Sequence, residues 1–154
     1  MIQLSIKVLE VVEGSPLVRV TLQDVASERE VQIWIGWPEA AAIQTQLEGD
    51  VSPRPMTHDL MANMLVAVQA KVLQLLISEM KEETFFATLT ISANSRLYEI
   101  DCRPSDGIAL ALRAGAPIFI ADELMEQMEQ TSEQELRATH AGTIVVERED
   151  TTIH

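Results

Sequence analysis

The chain of 154 residues is long enough for one globular domain, or one domain with a tail, and too short for two. Hydrophobic residues make up 47% of the chain and aromatic residues only 4%, so the core must consist mainly of aliphatic and methionine side chains. The net charge of −13 repels phosphate backbones and excludes a broad basic patch for salt-driven binding of nucleic acid.

Three strands are predicted near the start of the chain. Residues 2–12 alternate apolar and polar side chains in their first part, and residues 17–22 and 30–35 are rich in Val and Ile. A turn at residues 13–16 and a polar stretch at residues 23–29 separate these segments. We therefore expect a small antiparallel sheet.

Two helices are predicted next. Pro38 and Glu39 suit the first turn of a helix that includes residues 40–47, because proline needs no amide donor there and an acid complements the helix dipole. A loop that contains glycine and two prolines ends this helix. Thr57 is the predicted N-cap of a second helix, which has apolar residues at helical spacing and runs to about Ala70.

The second half repeats this order of elements. Three further strands and two turns are predicted, the strands at residues 72–80, 84–91 and 96–100 and the turns at residues 81–83 and 93–95. A deeply buried helix opens at Pro104, because residues 108–112 are apolar on all sides. A short strand at residues 116–121 and a helix capped by Asp122 follow. Beyond Gln130 the chain becomes polar and acidic.

The expected fold class is α+β. It has two pseudo-repeated units of three antiparallel strands and a helix, joined by a central helix and followed by a short strand and a C-terminal helix. A shift of 65 places carries Ala42-Ile43 onto Gly107-Ile108 and superimposes the two units. We expect residues 1–130 to form the domain and residues 131–154 an acidic tail, ordered or partly disordered. Within this tail, residues 142–146 suit either an edge strand or disorder.

The cytoplasm is the expected location, with no membrane partner. No apolar run approaches the roughly 20 residues of a membrane-spanning helix, and the N-terminal segment lacks the basic region and cleavage site of a signal peptide. The single Cys102 cannot form an internal disulfide, which fits a reducing compartment. An inward-facing strand cysteine is the favoured interpretation of Cys102, ahead of a thiol with a lowered pKa.

Several separate motifs together resemble the bifunctional nuclease (DNase and RNase) domain family. These motifs are Ile33-Trp34-Ile35-Gly36 with Glu39-Ala40, Arg54-Pro55 with Thr57-His58-Asp59-Leu60, Asp101 with Arg103-Pro104-Ser105-Asp106 and Ile108-Ala109-Leu110-Ala111, and Pro117-Ile118-Phe119. Their agreement in order and spacing over roughly residues 1–130 is more specific than any single short pattern. Members of the family often have alanine where this chain has Gly107.

The resemblance implies hydrolysis of phosphodiester bonds in DNA and RNA with low sequence specificity. In this interpretation His58, Asp59 and Asp106 are catalytic, and His58 moves protons because histidine titrates near neutral pH. The carboxylates of Asp59, Asp101 and Asp106 hold a divalent cation, with Mg²⁺ as the expected ion. The cation would polarise the phosphate and activate the attacking water.

Substrate binding is assigned to a second group of residues near the same helix starts. Arg54 and Arg103 would clamp phosphate oxygens through their planar guanidinium groups, and Ser105 would assist them. Glu39 is a further candidate because it occupies the corresponding first turn of the first helix. Because the chain is so acidic, any phosphate contact must come from these few arginines or from a metal ion.

A structural interpretation of the same residues stays open. Ser, Thr and Asp are the ordinary residues at helix N-termini, where they bond free amide groups or complement the dipole, and the arginines would then pair with the acids. A lone histidine after a threonine cap, such as His58, is more often a structural hydrogen-bonding residue than a catalyst.

Two functions therefore compete. One is a metal-assisted nuclease, and the other is a non-catalytic interaction or regulatory module that binds a protein partner or associates with itself. The charge of −13 and the lack of a strong metal-ligand spacing support the second. The run Ala40-Ala41-Ala42 and the exposed strands favour a homo-oligomer in either case.

Overall fold

The computed structural model of the protein describes residues 1–141, and the segment 142–146 lies outside the described residues. Within residues 1–141 the chain forms seven strands and four helices. The strands are β1 (Ile2–Val11), β2 (Val18–Asp24), β3 (Glu30–Ile35), β4 (Lys71–Lys81), β5 (Thr84–Ala93), β6 (Arg96–Cys102) and β7 (Ile118–Ile120). The helices are α1 (Trp37–Glu48), α2 (Thr57–Ala67), α3 (Pro104–Ala114) and α4 (Asp122–Ala141). All of the predicted elements are present.

The strands of the described region form one curled sheet in the order β3-β2-β1-β7-β4-β5-β6. The strands β1 to β3 and β4 to β6 make two antiparallel units. The short strand β7 lies between the units, antiparallel to β1 and parallel to β4, so that Ile118 is opposite both Leu4 and Leu75. The α+β class and its two similar units are therefore confirmed, and β7 is the strand that joins their sheets.

One face of the sheet carries the core. In β3 the side chains of Val31, Ile33 and Ile35 are buried while those between them are exposed, which is the period of two that a half-buried strand requires. α3 packs on this face against β4 and β5, and α1 packs on α3. Ile108 of α3 and Ile43 of α1 are completely buried, so the predicted deep burial of α3 is confirmed.

The start of α2 differs from its prediction by one residue. Met56 is the N-cap and Thr57 is already the first helical residue, so the prediction of Thr57 as the cap is wrong. The carboxylate of Asp59 accepts a hydrogen bond from the backbone N–H of Met56 at 3.0 Å, which satisfies the free amide of the N-cap residue. α2 ends at Ala67 because the chain turns at Gln69, which has a φ of 58°.

α4 extends further than the sequence pattern indicates. Leu124 and Met125 are buried and Met128 packs against the core, as predicted. The helix continues to Ala141 with exposed side chains at residues 132–139, so the first part of the predicted tail is helical. None of the helices within residues 1–141 is long and apolar enough to cross a membrane.

Gly107 marks a close approach of α3 to the sheet. A Cβ atom built on Gly107 would lie 2.4 Å from Cδ1 of Leu75 and 3.1 Å from Sγ of Cys102. Leu75 is fully buried in β4, so its side chain has little room to turn away. The bare backbone of Gly107 therefore allows α3 to pack directly on β4.

Gly107→Ala is expected to lower the free energy of unfolding by about 1 kcal/mol, because overpacking of about 1–3 kcal/mol exceeds the gain in helix propensity. Urea denaturation measures this change. In a Leu75→Val background the same substitution should be neutral or stabilising, since the Cδ atoms that clash are gone. Stabilisation by Gly107→Ala in the otherwise unchanged chain would contradict the close contact.

Candidate active site

An open cleft lies where the first turns of α1, α2 and α3 come together. Its volume is about 340 Å³. The lining combines small and polar residues of α1 and of the α1–α2 loop with six ionisable residues, Glu39, His58, Asp59, Arg103, Asp106 and Arg113. Five of these six were predicted for the site from the sequence. The cleft therefore brings most of the predicted site residues together.

His58 of α2 is held against Asp106 of α3. Its Nε2 atom lies 2.9 Å from Oδ1 of Asp106, and its side chain is only 10% exposed. Nδ1 has no hydrogen bond to any described residue. Within residues 1–141, every side-chain nitrogen or oxygen atom that is completely buried has a hydrogen-bond partner. It follows that Nδ1 is not completely enclosed, and His58 lines the cleft. The ring is fixed through one nitrogen and open through the other.

Arg103 is 65% exposed and links two acids of the cleft. Its Nε and Nη2 atoms donate to the two oxygens of Asp106 at 2.8 and 3.2 Å, and Nη2 also donates to Oε1 of Glu39 at 3.0 Å. Burial alone would raise the pKa of Asp106, but hydrogen bonds from Arg103 and His58, together with their charges, hold that pKa below its ordinary value of 3.8. Asp106 is therefore ionised at neutral pH.

Arg113 was not predicted for the site, although it is the most deeply buried arginine of the cleft, with a side chain 7% exposed. Its Nε donates to Oδ1 of Asp59 at 2.7 Å, Nη1 to the carbonyl oxygen of Ala109 at 2.9 Å and Nη2 to that of Ala42 at 3.1 Å. One guanidinium group thus joins α1, α2 and α3. The sequence does contain one indication of this role. Arg113 directly follows the apolar run 108–112, and a cation in a buried helix needs partners.

Asp59 is occupied by structural contacts. One of its oxygens accepts the hydrogen bond from Arg113, and the other accepts that of the Met56 amide. The hydrogen bond from Arg113, followed by that from Met56, lowers the pKa of Asp59 below 3.8. The carboxylate is therefore ionised and already engaged with a cap and a cation.

Three predicted residues are not part of the cleft lining. Arg54 is exposed in the α1–α2 loop and has no hydrogen bond or ion pair with any other described residue. Ser105 is buried in the first turn of α3. Asp101 is exposed on β6, where it is paired with Thr88. The two Arg-Pro segments therefore differ, since Arg103 lies in the cleft and Arg54 lies beside it in the loop.

Comparison with known proteins identifies the family. The model of the bifunctional nuclease domain matches residues 20–133 of the chain. The chain belongs to the bifunctional nuclease domain family. It is also 37% identical over 106 residues to two uncharacterized proteins of Mycobacterium tuberculosis, MT1877 and Rv1829. The matched region is 69% of this chain but 63% of each relative, so the chain spans less than two thirds of the length of these relatives.

Of the three predicted metal ligands of this bifunctional nuclease domain, only Asp59 and Asp106 line the cleft. Asp101 lies outside the cleft lining, while Asp59 and Asp106 are each bound to an arginine. Across residues 1–141 no three His, Cys, Asp or Glu side chains are grouped so that they could hold a metal ion. Mg²⁺ is held in proteins by carboxylate oxygens that are free to coordinate it. In this arrangement the side chains of the cleft do not fit a protein-bound Mg²⁺.

The thiol of Cys102 is not activated by its surroundings. Burial, followed by the negative charges of Asp101 and Asp106, raises the pKa of the Cys102 thiol to about 11. The thiol is therefore protonated at neutral pH. Its environment supports the interpretation of Cys102 as an inward-facing strand residue.

Arg113→Met is expected to lower the free energy of unfolding by about 2 kcal/mol. The carbonyl oxygens of Ala42 and Ala109 lose their donors, and the partly exposed Asp59 loses its partner. Arg96→Met, which removes an exposed arginine of β6, is the matched control and should change the value by less than about 0.5 kcal/mol. Equal urea midpoints for the two variants would contradict the central role of Arg113.

Acid is expected to weaken the fold at pH values below the ordinary aspartate pKa of 3.8. Asp59 and Asp106 have lowered pKa values in the folded chain, so their ionised forms stabilise it above pH 3.8. This contribution is lost as the pH falls through their folded pKa values. Urea midpoints measured between about pH 2 and 5 should fall less steeply for Asp59→Asn than for the unchanged chain. Parallel curves would show that Asp59 does not contribute.

Proposed function

We propose that this domain hydrolyses phosphodiester bonds of DNA and RNA with low sequence specificity, and that the cleft is the site of hydrolysis. Membership of the bifunctional nuclease domain family supports a nuclease-type activity. The observation that carries the proposal is the row His58, Asp106 and Arg103, in which a fixed imidazole with one open nitrogen lies beside an exposed guanidinium. A proton acceptor and a cationic phosphate ligand are groups that this hydrolysis needs.

His58 acts as the general base. With the Nε2–H group donating to Asp106, the lone pair of the imidazole is on Nδ1. Nδ1 takes a proton from a water molecule, and the water oxygen bonds to phosphorus. The bond between phosphorus and the leaving oxygen breaks, and this oxygen keeps the electron pair and takes up a proton from solvent. Asp106 is a positioning residue, because its ionised carboxylate holds the ring and stabilises the imidazolium that forms.

Arg103 binds the phosphate that is cleaved. Its Nε and Nη2 groups are engaged with Asp106 and Glu39, whereas Nη1 has no partner among the described residues. Two N–H donors are therefore available for phosphate oxygens without loss of the existing contacts. A phosphate contact carries no sequence information, which agrees with low specificity and with the use of both DNA and RNA.

Arg54 provides a second phosphate contact in this proposal. It lies between Ser52 and Met56, both of which line the cleft, and it has no ion pair with any described residue. Ser105 is buried and Asp59 is engaged with Arg113, so neither is assigned a step.

A non-catalytic interaction or regulatory module is the alternative, and the charge of the cleft favours it. Three acids and two arginines leave the lining with a formal charge of −1 when His58 is neutral. Such a cleft attracts a phosphodiester weakly at long range. Exposed apolar side chains on α2 support self-association, and we propose a homo-oligomer under either function. The cytoplasmic location is likewise a proposal.

Cleavage of fluorogenic DNA and RNA oligonucleotides tests the nuclease proposal. His58→Gln keeps an amide that can bond Asp106 but cannot take a proton, so kcat should fall by about 10²–10⁴-fold with little change in KM. Arg103→Gln should raise KM as well as lower kcat, because the phosphate ligand is removed. Arg96→Gln, an exposed change outside the cleft lining, is the control and should keep the unchanged rates.

The same assay separates the remaining possibilities. Equal rates for His58→Gln and the unchanged chain would exclude His58 as the base. Treatment with EDTA, followed by addition of Mg²⁺, tests the predicted metal. Loss of cleavage in EDTA and its recovery in Mg²⁺ would support a metal requirement, and full cleavage in EDTA would contradict it. A pure preparation that neither cleaves nor binds oligonucleotides with any divalent ion would favour the interaction module.

A further inference from the structure

Arg113 also lines a second cavity. This cavity has a volume of about 290 Å³ and lies where α2, the start of β4 and the C-terminal half of α3 meet. Seven of its nine lining residues are Ala, Val or Leu, and the other two are Lys71 and Arg113. It is therefore an apolar cavity with two cations, and it shares one of them with the cleft.

The charge of this cavity is opposite to that of the chain as a whole, which is −13. No acidic side chain is among its lining residues, and Lys71 forms no ion pair with any residue of the described region. Arg113 uses three of its five N–H groups for Asp59, Ala42 and Ala109, which leaves two donors. The cavity is complementary to a ligand with one negative group and an apolar body.

We propose that this second cavity binds a small carboxylate with a short aliphatic chain. The chain lies among Leu65, Val66 and Leu110, and the carboxylate lies between Lys71 and Arg113. Small-molecule sites commonly combine a mostly apolar wall with a few polar groups that fix the ligand. The volume of about 290 Å³ lies just below the roughly 300–1,000 Å³ of drug-sized sites, which is suited to a short chain.

Occupancy of the second cavity affects the cleft through Arg113. A carboxylate bound to the two remaining donors of Arg113 places a second negative charge near the carboxylate of Asp59, and Asp59 follows His58 directly in α2. The ligand therefore weakens a contact that holds the first turn of α2 on α3, and hydrolysis slows. This coupling rests on the proposed nuclease function, whereas the binding site does not.

Sodium octanoate is the probe for this site. Titration into the full chain, followed by calorimetry and by the ¹⁵N signals of Lys71 and of Arg113 Nε, should show saturable binding with a Kd of roughly 0.1–1 mM. Lys71→Met should weaken binding about tenfold, because it removes a cation and keeps the length of the side chain. Val66→Phe should abolish binding by filling the cavity, and Val66 is 75% exposed, so a larger side chain there is compatible with folding.

Two matched controls distinguish the site from general surface effects. Lys81→Met changes an exposed lysine at the other end of β4, and Val68→Phe changes a valine that is 66% exposed and outside the cavity lining. Both should bind octanoate as the unchanged chain does. Absence of saturable binding, or equal binding by Lys71→Met, Val66→Phe and these controls, would overturn the site.

Cleavage assays with octanoate test the coupling separately. Octanoate should slow cleavage several-fold in the unchanged chain and leave Val66→Phe unaffected. Octanoate that binds but alters neither cleavage nor the Arg113 Nε signal would overturn the coupling alone. Because the titration does not depend on cleavage, failure of the nuclease proposal and failure of the carboxylate site are distinguishable results.

Discussion

The buried guanidinium of Arg113 is the interaction on which the arrangement of the three helices around the cleft depends. A buried arginine without partners would cost several kcal/mol, so the positions of its partners are constrained together. These partners are a carbonyl oxygen of α1, the Asp59 carboxylate of α2 and a carbonyl oxygen of α3 itself. The geometry of the cleft is thereby fixed by directional contacts at its base.

α2 shows why directional contacts are needed. His58 is the only buried residue of this helix, and most of the large apolar side chains of α2 are exposed. Apolar burial therefore contributes less to the position of α2 than to that of α3, whose Ile108, Ala109 and Ala111 are completely buried. Two polar links to α3, through His58 and Asp59, determine where α2 lies. The same links place the imidazole of His58 at the cleft.

The contacts of the helix-start residues favour the structural interpretation for some of them and the chemical interpretation for others. Asp59 accepts the amide of the N-cap residue Met56 and binds Arg113, so its contacts are those of a structural residue. Asp106 also lies in a first helical turn, but its carboxylate contacts both a histidine and an exposed arginine. A carboxylate between a proton acceptor and a cation can serve hydrolysis while it stabilises the fold. Sequence position alone does not separate these two cases, because both acids follow an Arg-Pro segment.

Local patterns were sufficient for the elements and insufficient for their arrangement. The Val- and Ile-rich segment of β3 and the apolar run of α3 predicted each element correctly, because burial of one face or of all faces leaves a direct trace in the sequence. The central place of β7 was not predictable, since a strand of three residues carries no local information about its neighbours. Its pairing with β1 and β4 depends on contacts distant in the chain.

The sequence also predicted only part of the cleft lining. Glu39, His58, Arg103 and Asp106 were expected near one another because each belongs to a helix start, and the helix starts do meet. Asp101 was expected with them because it is close in sequence, but it is exposed on β6 and does not line the cleft. Arg113 was not predicted, because it lies in the last turn of α3 and approaches the cleft only through helix packing.

The acidic character of the chain gives a physical reason for the ion pairs at the cleft. Acidic residues outnumber basic ones in this chain of charge −13, and two of them, Glu39 and Asp106, hold Arg103 in a defined orientation. An ordered guanidinium loses less conformational entropy when it binds phosphate than a free side chain does. The acids reduce the long-range attraction for nucleic acid at the same time. Binding that uses one or two arginines releases few counterions, so it depends weakly on salt and relies on local geometry.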